Sequence, residues 1–412
     1  QRVATWLQLR GIDAHAYWAG LASPRRIRLE NALLGNEIKA LVATTALSMG
    51  FDKPDLGFVV HFQRPSSVVH YYQQVGRAGR ALDKAYGILL SGDEDYEITD
   101  YFIRTAFPPQ GHATQVLTAL GERASPVGIP VLQRRVNLST RQIERVLRLL
   151  SVEDPAPVTR DLKGRWLRVP VRYTPDEHKV RRLTRLRRQE QATMAEYLFS
   201  RDCLMAFLQR ELGDPDPKPC GRCANCVGRP LISPAFSREL AERAARFLKQ
   251  NEQTIHLHRA WPGDALGAHA WRGPIAPRLM AEEGRALCIW GDSGWGDLVQ
   301  RGKRHDSYYD DVLVDGSAQM ILRRWRPRPA PSWVTCVPSR RHPTLVPDFA
   351  ARLAATLGLA FVPCVVKTRH TPAQKTMMNR YQQARNVSGV FAVEAGQVRD
   401  GPLFLADDIV DS

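Results

Sequence analysis

Residues 71–80 read Tyr-Tyr-Gln-Gln-Val-Gly-Arg-Ala-Gly-Arg, a run with paired arginines and paired glycines. Arg77 and Arg80 are three residues apart, and Gly76 and Gly79 let the backbone approach a partner closely. On a helical turn, this spacing points both guanidinium groups the same way. Paired planar cations suit the oxygens of a transferring phosphate, so the pattern predicts an arginine finger for a γ-phosphate bound by another domain. The alternative is two solvated arginines beside a tight turn.

Two apolar runs upstream predict strands of a parallel sheet with crossover helices. Leu41–Asp55 reads as a buried strand that breaks into a Thr/Ser/Gly loop, and Phe58–Phe62 reads as another strand. The ordered motifs VAT-x-A-x-x-MG-x-x-KP, VVHF and YYQ-x-x-GRAGR resemble the second RecA-like domain of RecQ-family helicases. Domains of that family open with one more strand, so we expect this chain to begin inside the domain.

The resemblance implies roles for residues of this domain by position. Arg77 and Arg80 would reach the γ-phosphate as catalytic residues, and Gln73 would couple the nucleotide state to the grip on DNA. The positions implied in DNA contact are Thr44, Thr45 and Ser48, and those implied near ATP are Asp52 and Gly76. The phosphate-binding sequence G-x-x-x-x-G-K-[ST] does not occur in the chain. We therefore expect ATP and Mg²⁺ to be held mainly by another domain of a longer protein.

The composition limits the class of protein. The chain has 412 residues, 44% of them hydrophobic, which is enough for two to four packed domains. A formal net charge of +16 favours a polyanionic partner, and the RecQ resemblance makes that partner DNA, single-stranded or tailed duplex. No apolar run of about 18 residues occurs, so no membrane span is expected. Seven cysteines, several of them clustered, favour a metal in a reducing compartment, and we expect a cytoplasmic monomer.

Residues 109–175 predict a DNA-binding domain of winged-helix type. Two amphipathic helices are predicted first, then a third that Ser139 and Gln142 begin as a capping box, then a hairpin turning at 163–164. The third helix and the hairpin tip are the expected DNA contacts, although RecQ proteins place such a domain after their zinc module. The alternative is a solvated charged face. The cations that share one face of the third helix are Arg141, Arg145 and Arg148.

Residues 176–230 contain a motif for a metal. A long, arginine-dense helix is predicted from Pro175 to about Leu212, and cysteines occur with the spacing C-x16-C-x2-C-x2-C. Four thiolates at this spacing can close a tetrahedral, structural zinc site, whereas buried thiols poorly explain such close clustering. The arrangement also resembles the RecQ zinc module. The predicted zinc ligands are Cys203, Cys220, Cys223 and Cys226.

Residues 287–412 return to a βαβ pattern and resemble the type I phosphoribosyltransferases. A buried strand that ends in Asp407 and Asp408 resembles their PRPP-binding signature. The upstream R-x-x-x-x-Q-K and R-N-V-x-G-x-F sequences resemble the ComF-like branch. The resemblance implies that the two acids hold ribose hydroxyls and that a pyrophosphate loop is formed by Ser339, Arg340 and Arg341. We expect the signature to continue beyond the chain, so PRPP is a candidate cofactor only of a longer protein.

The predicted organisation is a multidomain α/β protein. Its parts are a RecA-like domain with a parallel sheet at 1–108, a winged-helix-like domain at 109–175, a zinc-binding helical module at 176–230, a connector at 231–286 and a phosphoribosyltransferase-like α/β domain at 287–412. A helicase with these additions resembles the RqlH subgroup of RecQ proteins. The favoured function is the C-terminal part of an ATP-dependent DNA helicase, moving 3′ to 5′ in repair or recombination. The alternatives are a DNA-associated phosphoribosyltransferase and a non-catalytic DNA-binding or ligand-sensing scaffold.

Overall fold

The computed structural model describes residues 1–47, 51–92, 94–250, 252–267, 271–292 and 294–410. The chain forms two compact units, and each unit is built from two separate segments. The first unit comprises 1–107 and 174–235, and the second comprises 108–173 and 236–412. The five-part division expected from the sequence stays a prediction.

The secondary structure consists of helices and short strands, with runs of consecutive helices at 94–151 and at 177–249. The helices are α1 Arg2–Gln8, α2 Ser23–Leu34, α3 Val68–Val75, α4 Glu94–Arg104, α5 Gln110–Gly121, α6 Ile129–Arg135, α7 Thr140–Ser151, α8 Glu177–Phe199, α9 Leu204–Glu211, α10 Ala224–Val227, α11 Arg238–Lys249, α12 Gly296–Arg301, α13 Asp311–Gln319, α14 Leu345–Leu357 and α15 Arg380–Val387. The strands are β1 Ala14–Tyr17, β2 Ala40–Ala43, β3 Phe58–His61, β4 Tyr86–Leu89, β5 Val158–Arg160, β6 Trp166–Arg168, β7 Gln253–Ile255, β8 Gly284–Ala286, β9 Trp333–Cys336, β10 Ala360–Phe361, β11 Val365–Lys367, β12 Phe391–Val393 and β13 Leu403–Ala406.

In the first unit, parallel strand pairs are connected by helices. β1 pairs with β2 in register Ala14 to Ala40, and β3 pairs with β4 in register Phe58 to Tyr86. The crossover helix is α2 in the first pair and α3 in the second, as parallel neighbours require. The predicted parallel α/β pattern is confirmed here, although the two pairs form separate sheets.

The long helix predicted from Pro175 to Leu212 is wrong, because the chain breaks into α8 and α9. α8 ends at Phe199 and Ser200 takes an extended conformation. The sulfur of Cys203 then accepts a hydrogen bond from the Ala206 N–H and begins α9. The residues of α3, α8 and α9 that form a shared core are Val68, Tyr71, Met194, Tyr197, Phe207 and Leu208.

In the second unit, three helices are followed by the β5–β6 hairpin, as expected for 109–175. The N–H of Val127 donates to Trp166 O at 2.8 Å, which adds an antiparallel bridge beside the hairpin. The capping box of Ser139 and Gln142 is confirmed. The first helix, α5, begins at Gln110, whereas the amphipathic pattern predicts it from Gln115.

The rest of the second unit contains a parallel sheet in the order β10–β9–β13, covered on one side by α14. Parallel pairing with Trp333 in register with Ala360 and Leu403 brings the carboxyl ends of these strands to one edge. β11 pairs with β12, and β7 pairs with β8, both antiparallel. Among the described residues, no helix has the length and apolar composition needed to cross a membrane.

Candidate functional site

The two arginines of the 71–80 stretch lie just after α3 rather than on it. α3 ends at Val75 and Gly76 forms its C-cap, so the helical turn predicted for the pair is wrong. Both side chains nevertheless reach the same loop, 51–52. Arg77 Nη1 donates to the Phe51 carbonyl at 2.5 Å, and Arg80 Nη1 lies 2.7 Å from Asp52 Oδ1. The residues that the sequence assigned to phosphate and nucleotide are therefore neighbours.

Backbone hydrogen bonds fix the turn that carries this pair. The Gly79 N–H donates to Leu56 O at 2.9 Å, and the Ala81 N–H donates to Pro54 O at 2.9 Å. Gly79 has a φ of +77°, and a Cβ there would lie 2.9 Å from a neighbouring side chain. Only glycine fits this backbone without strain, so the second glycine of the motif has a structural reason.

The residues implied in DNA contact lie at the surface where the structure describes them. Thr44 and Thr45 are exposed, and the Thr44 N–H donates to Tyr17 O at 3.1 Å as β2 ends. Gln73 is exposed on α3. Ser48 lies outside the described residues. Their role in binding DNA stays a prediction.

Sequence reasoning missed a buried polar pair beside the motif. His61 Nε2 lies 2.7 Å from Gln74 Oε1, and His61 is 9% exposed. Burial lowers the pKa of the His61 ring, and the hydrogen bond with Gln74 opposes that change only in part. A histidine at the end of an apolar strand, thirteen residues before a glutamine on α3, was the available signal.

The four predicted zinc ligands come together in the first unit. The Sγ atoms of Cys203, Cys220, Cys223 and Cys226 all lie within 4.8 Å of one another. Tetrahedral zinc with Zn–S bonds of about 2.3 Å needs sulfurs about 3.8 Å apart, and Cys203 and Cys223 are separated by 4.0 Å. The cluster is therefore close to the size that the metal requires.

Backbone N–H groups point at the Cys203 and Cys223 sulfurs and lower the pKa of both thiols. A side-chain hydrogen bond with Cys223 instead raises the pKa of Cys226 to about 12 as long as no metal is bound. The Cys220 N–H donates to the Cys203 sulfur at 3.2 Å, and the Cys223 N–H donates to the Cys220 sulfur at 3.3 Å. Burial tends to raise the pKa of the Cys203 thiol, but the hydrogen bonds from Cys220 and Ala206 outweigh it and lower the pKa to about 6. Thiolates are the form that binds zinc, so the donor set fits the metal.

A side chain that the sequence did not single out ties the cysteine segments together. The Asn225 amide donates to Ser200 O at 2.8 Å and to Asp202 O at 2.7 Å. These carbonyls immediately precede Cys203 and belong to the break between α8 and α9. Asn225 thus holds the first ligand close to the other three, and its place inside the C-x-x-C sequence was the only signal.

The predicted arginine face of α7 is present as a surface. Arg141, Arg145 and Arg148 are all exposed. Arg148 Nε donates to Glu144 O on its own helix at 3.3 Å, so its head group stays near the helix surface. The opposite, buried face of α7 consists of Ile143, Val146, Leu147 and Leu150.

The tip of the adjacent hairpin turns at the predicted position. Gly164 has a φ of +76°. Asp161 accepts hydrogen bonds from the Lys163 N–H at 3.0 Å and from the Arg165 side chain at 2.8 Å. The tip is therefore an ordered turn with cationic residues on either side of glycine. A winged-helix identity and DNA contact at this tip remain predictions.

In the second unit, the two acids after β13 have different surroundings. Asp408 Oδ2 lies 2.7 Å from Lys303 Nζ and accepts a hydrogen bond from the Tyr309 hydroxyl at 3.1 Å. Its side chain is 11% exposed, whereas Asp407 is exposed. Lys303 and Tyr309 were missed from the sequence, because they are a hundred residues away in the chain and carry no motif.

The loop predicted to hold pyrophosphate follows β9, the neighbour of β13. Strand pairing places this loop and the two acids at the same edge of the sheet. Ser339 Oγ accepts from the His342 N–H at 3.3 Å. Arg340 donates to Lys367 O at 3.1 Å, and Arg341 is exposed. The geometry brings the predicted pyrophosphate loop and the two acids to one edge of the sheet, but the Arg340 guanidinium is hydrogen-bonded to a backbone carbonyl.

Comparisons with known proteins relate this chain to helicases. Residues 1–82 match the family described as helicase conserved C-terminal domain. The ATP-dependent DNA helicase RecQ of Synechocystis sp. is 30% identical over 253 residues, which are 55% of this chain and 47% of that protein. The ATP-dependent DNA helicase RecQ of Pasteurella multocida is 40% identical over 96 residues, 23% of this chain and 15% of that protein. The chain thus spans less than half the length of either relative.

Several solved structures are also similar to part of this chain. A DEAD box protein from the hyperthermophile Methanococcus jannaschii is 28% identical over 25% of this chain and 28% of that chain, with a TM-score of 0.22. Residues 1–82 thus match a helicase conserved C-terminal domain, and the chain is similar in sequence to RecQ DNA helicases.

Proposed function

We propose that this chain is the C-terminal part of an ATP-dependent DNA helicase of RecQ type, of the RqlH subgroup. The observation that carries the proposal is the convergence of Arg77 and Arg80 on loop 51–52 within a helicase C-terminal domain. Phosphoryl transfer depends on positioned cations, and two permanently charged planar groups aimed at one place suit that task.

The contact that Arg80 makes is weak enough to be exchanged for a phosphate. Arg80 and Asp52 are 47% and 66% exposed, so water screens their ion pair. Exposed pairs of this kind contribute about 0–1 kcal/mol. A γ-phosphate presented by another domain can therefore displace Asp52 at little cost. ATP and Mg²⁺ are held mainly by that other domain.

The polyanionic partner of this helicase is DNA, single-stranded or as a tailed duplex. The net charge of +16 supports a polyanion, and the exposed Thr44 and Thr45 follow β2 on the unit that carries the arginine pair. Ser48 is assigned to the same contact from the sequence, and Gln73 couples the nucleotide state to the grip on DNA. Arg141, Arg145 and Arg148 form a second contact, which positions duplex through its phosphates. The direction of movement is 3′ to 5′, and the setting is repair or recombination in the cytoplasm.

The cysteine cluster holds a structural zinc ion. All four ligand positions of a tetrahedral site are filled by the cysteines, so no position remains for a reacting water. Zinc fixes the break between α8 and α9, which packs with α3 directly before the arginine pair. The metal therefore stabilises α8 and α9, which share a core with α3 of the helicase domain.

A second candidate function concerns the edge of the sheet in the other unit. The Ser339–Arg341 loop and Asp407 lie at the carboxyl ends of adjacent parallel strands. This is the edge at which open parallel sheets bind ligands, and PRPP is the ligand that the sequence suggests. Lys303 is paired with Asp408, so Asp407, whose Oδ1 accepts the Asp408 N–H at 2.8 Å, is the acid proposed to meet ribose hydroxyls. A ligand-sensing role without transfer is the alternative.

The experiment that tests the helicase proposal uses the whole protein and this chain side by side. The whole protein should hydrolyse ATP when single-stranded DNA is added, and it should unwind a 3′-tailed duplex better than a 5′-tailed one. This chain alone should hydrolyse no ATP. ATPase activity from the chain alone, or a whole protein that ignores DNA, would overturn the proposal.

A further inference from the structure

A stacked tryptophan pair lies on two neighbouring stretches of the second unit, residues 258–267 and 271–275, together called the tryptophan segment. The ring centroids of Trp261 and Trp271 are 4.7 Å apart, with an angle of 20° between the planes. The backbone N–H of Trp261 donates to Gly273 O at 2.8 Å, and Ala260 forms an antiparallel β-bridge with Pro274. These contacts hold the two tryptophans on the two stretches of this segment. Trp271 is 39% exposed. A surface stack of this kind can be extended by one more flat ring.

A cavity lined by arginines lies at the end of α6 in the same unit. It has a volume of about 450 Å³ and is lined by Arg123, Arg134 and Arg135 over an apolar base of Val127 and Val131. Guanidinium groups in a cavity favour an anion with several oxygens, and phosphate is the commonest in biology. The cavity is large enough to admit a phosphodiester.

Arg134 connects the cavity to the tryptophan segment. Its Nη1 lies 3.4 Å from Asp264 Oδ1, three residues after Trp261. Its guanidinium also lies 5.8 Å from the centroid of the Tyr381 ring. The cavity and the tryptophan pair therefore belong to one continuous surface.

The charge of this surface is strongly positive. Asp264 and Glu122 are ion-paired there with Arg134 and Arg135, so each is already neutralised. Further exposed cations on the same segments are Arg259, Arg272 and Arg380. Arg380 donates to Ala260 O at 2.5 Å, which places it beside the tryptophan segment. An incoming polyanion meets excess positive charge.

Buried hydrogen bonds preform the surface by clamping α15 to the end of α6. Asn379 is 5% exposed, and its amide donates to the carbonyls of Gln133, Val136 and Leu138 at 3.2, 3.1 and 2.9 Å. Gln382 donates to Gln133 O at 3.3 Å and to Arg134 O at 3.2 Å. The backbone that carries Arg134 is thereby fixed, so little order is lost when a ligand binds.

We propose that Trp261, Trp271, Arg123, Arg134 and Arg135, together named the Trp–Arg surface, bind single-stranded DNA. Phosphates occupy the arginine cavity, and an unpaired base adds to the tryptophan stack. A duplex cannot supply that base, because its bases are already stacked on one another. The inference rests on the proposed function only in taking DNA as the partner. It gives the connector region a task that the sequence did not assign.

The test measures binding of this chain to a labelled 20-nucleotide oligo-dT and to a blunt 20-base-pair duplex by fluorescence anisotropy. Trp271→Ala should weaken oligo-dT binding about tenfold, the scale for one lost base stack, and leave duplex binding nearly unchanged. Trp271→Tyr, which keeps an aromatic face, should restore most of the loss. Arg134→Ala should weaken oligo-dT binding and reduce its salt dependence.

Matched controls are Trp290→Ala, a tryptophan of similar exposure elsewhere in the unit, and Arg399→Ala, an exposed arginine near β13. Both should bind like the parent, and far-UV circular dichroism should show every variant folded. If Trp271→Ala is misfolded, Arg134→Ala and Trp271→Tyr decide the matter. Equal binding by the parent, Trp271→Ala and Arg134→Ala overturns the inference and leaves the helicase proposal intact. A parent chain that binds no oligo-dT also overturns it, whereas the helicase proposal fails only if the whole protein lacks DNA-dependent ATPase activity.

Discussion

The cysteine cluster and the arginine pair both come from short, specific sequence motifs, but they differ in how much of a site each contains. The four sulfurs lie within 4.8 Å of one another, and the N–H groups that support them come from the same short segments. Arg77 and Arg80 instead both reach loop 51–52, through a carbonyl and an exposed carboxylate. The cysteine cluster is closed by its own chain, whereas the arginine pair is proposed to act on a nucleotide that another domain holds.

Because of this difference, we expect the cysteine cluster to matter for folding and the arginine pair to matter for activity. A closed metal site contributes its binding free energy to local folding, because the site does not exist in the unfolded chain. The exposed ion pair of Arg80 with Asp52 contributes little to folding, because water screens it. We therefore expect changes at the cysteines to unfold structure, and changes at the arginines to remove activity from a folded protein.

The largest expected effect is loss of the metal. Cys220→Ser, or prolonged chelation of the parent, should remove the single zinc ion and unfold the region of α9 and α10, because structural zinc binding is worth on the order of 10 kcal/mol. Zinc content by atomic absorption and protease sensitivity near residues 200–226 measure the effect. Cys288→Ser, outside the cluster, is the control and should keep both zinc and resistance. If the freshly purified parent chain contained no zinc, the proposed structural zinc site would be contradicted.

The next effect concerns the arginine pair in the whole protein. Arg77→Ala or Arg80→Ala should lower DNA-stimulated ATP turnover by roughly 10³-fold or more, the scale for losing an arginine finger. ATP and DNA affinity should survive, because the lost interaction belongs to the transition state. Steady-state ATPase assays and thermal melts measure the two properties. Arg10→Ala is the exposed-arginine control. An Arg77 or Arg80 variant that hydrolyses ATP as fast as the parent would contradict the arginine-finger proposal.

A smaller effect should follow from removing Asn225, which supports the cluster without being a ligand. Asn225→Ala leaves two backbone carbonyls without their donor, which costs about 1–3 kcal/mol where they are buried. Zinc should still bind with unchanged stoichiometry, but chelators should extract it faster. A colorimetric zinc-release assay measures this, with Gln189→Ala as the control on exposed α8. Unchanged release would assign the positioning of Cys203 to the backbone alone.

Changes to the arginine face of α7 should alter the salt dependence of DNA binding rather than the stability of the protein. The triple change Arg141→Ala, Arg145→Ala and Arg148→Ala should weaken duplex binding and reduce the slope of log K against log salt by roughly 3, about one per lost phosphate contact. The melting temperature should hardly change, since the three side chains are exposed. Titrations at several salt concentrations measure the slope. If the triple variant binds like the parent, the face is only solvated surface.

The sequence predicted what depends on local pattern. The capping box at Ser139, the turn at Gly164 and the clustering of the four cysteines all follow from short spacings, and the structure contains them. The parallel pairs of the first unit likewise follow from alternating strands and helices. Each of these features is decided by residues that are near one another in the chain.

What the sequence could not predict depends on distant partners. Lys303 pairs with Asp408, and Asn379 caps the end of α6, across separations that no periodicity reports. The helix predicted through Ser200 fails because a cysteine sulfur and Asn225 offer the backbone better partners there. The helical turn predicted for the arginine pair is wrong because α3 ends at Val75, with Gly76 as its C-cap, and the catalytic role of the pair stays a prediction.

The smallest expected effect is a pH dependence from His61, beside the arginine turn. Its ring is buried, its Nδ1 has no hydrogen-bond partner among the described residues, and burial lowers its pKa below the ordinary value near 6.5. The unfolded chain therefore binds a proton more readily than the folded chain. Stability from the neutral ring is complete above pH 6.5 and is lost as pH falls below it, by at most about 1.4 kcal/mol per pH unit.

His61→Gln should remove this dependence, because an amide can keep a hydrogen bond to Gln74 but cannot titrate. Urea unfolding of the parent and the variant between pH 7.5 and about 5 measures the change. The exposed His178→Gln is the control and should follow the parent. Acid protonation would bury an unpaired charge in the core that supports α3, so the parent should lose stability first. Parallel curves for all three proteins would mean that solvent reaches His61, and that the arginine turn rests on a looser core than its contacts indicate.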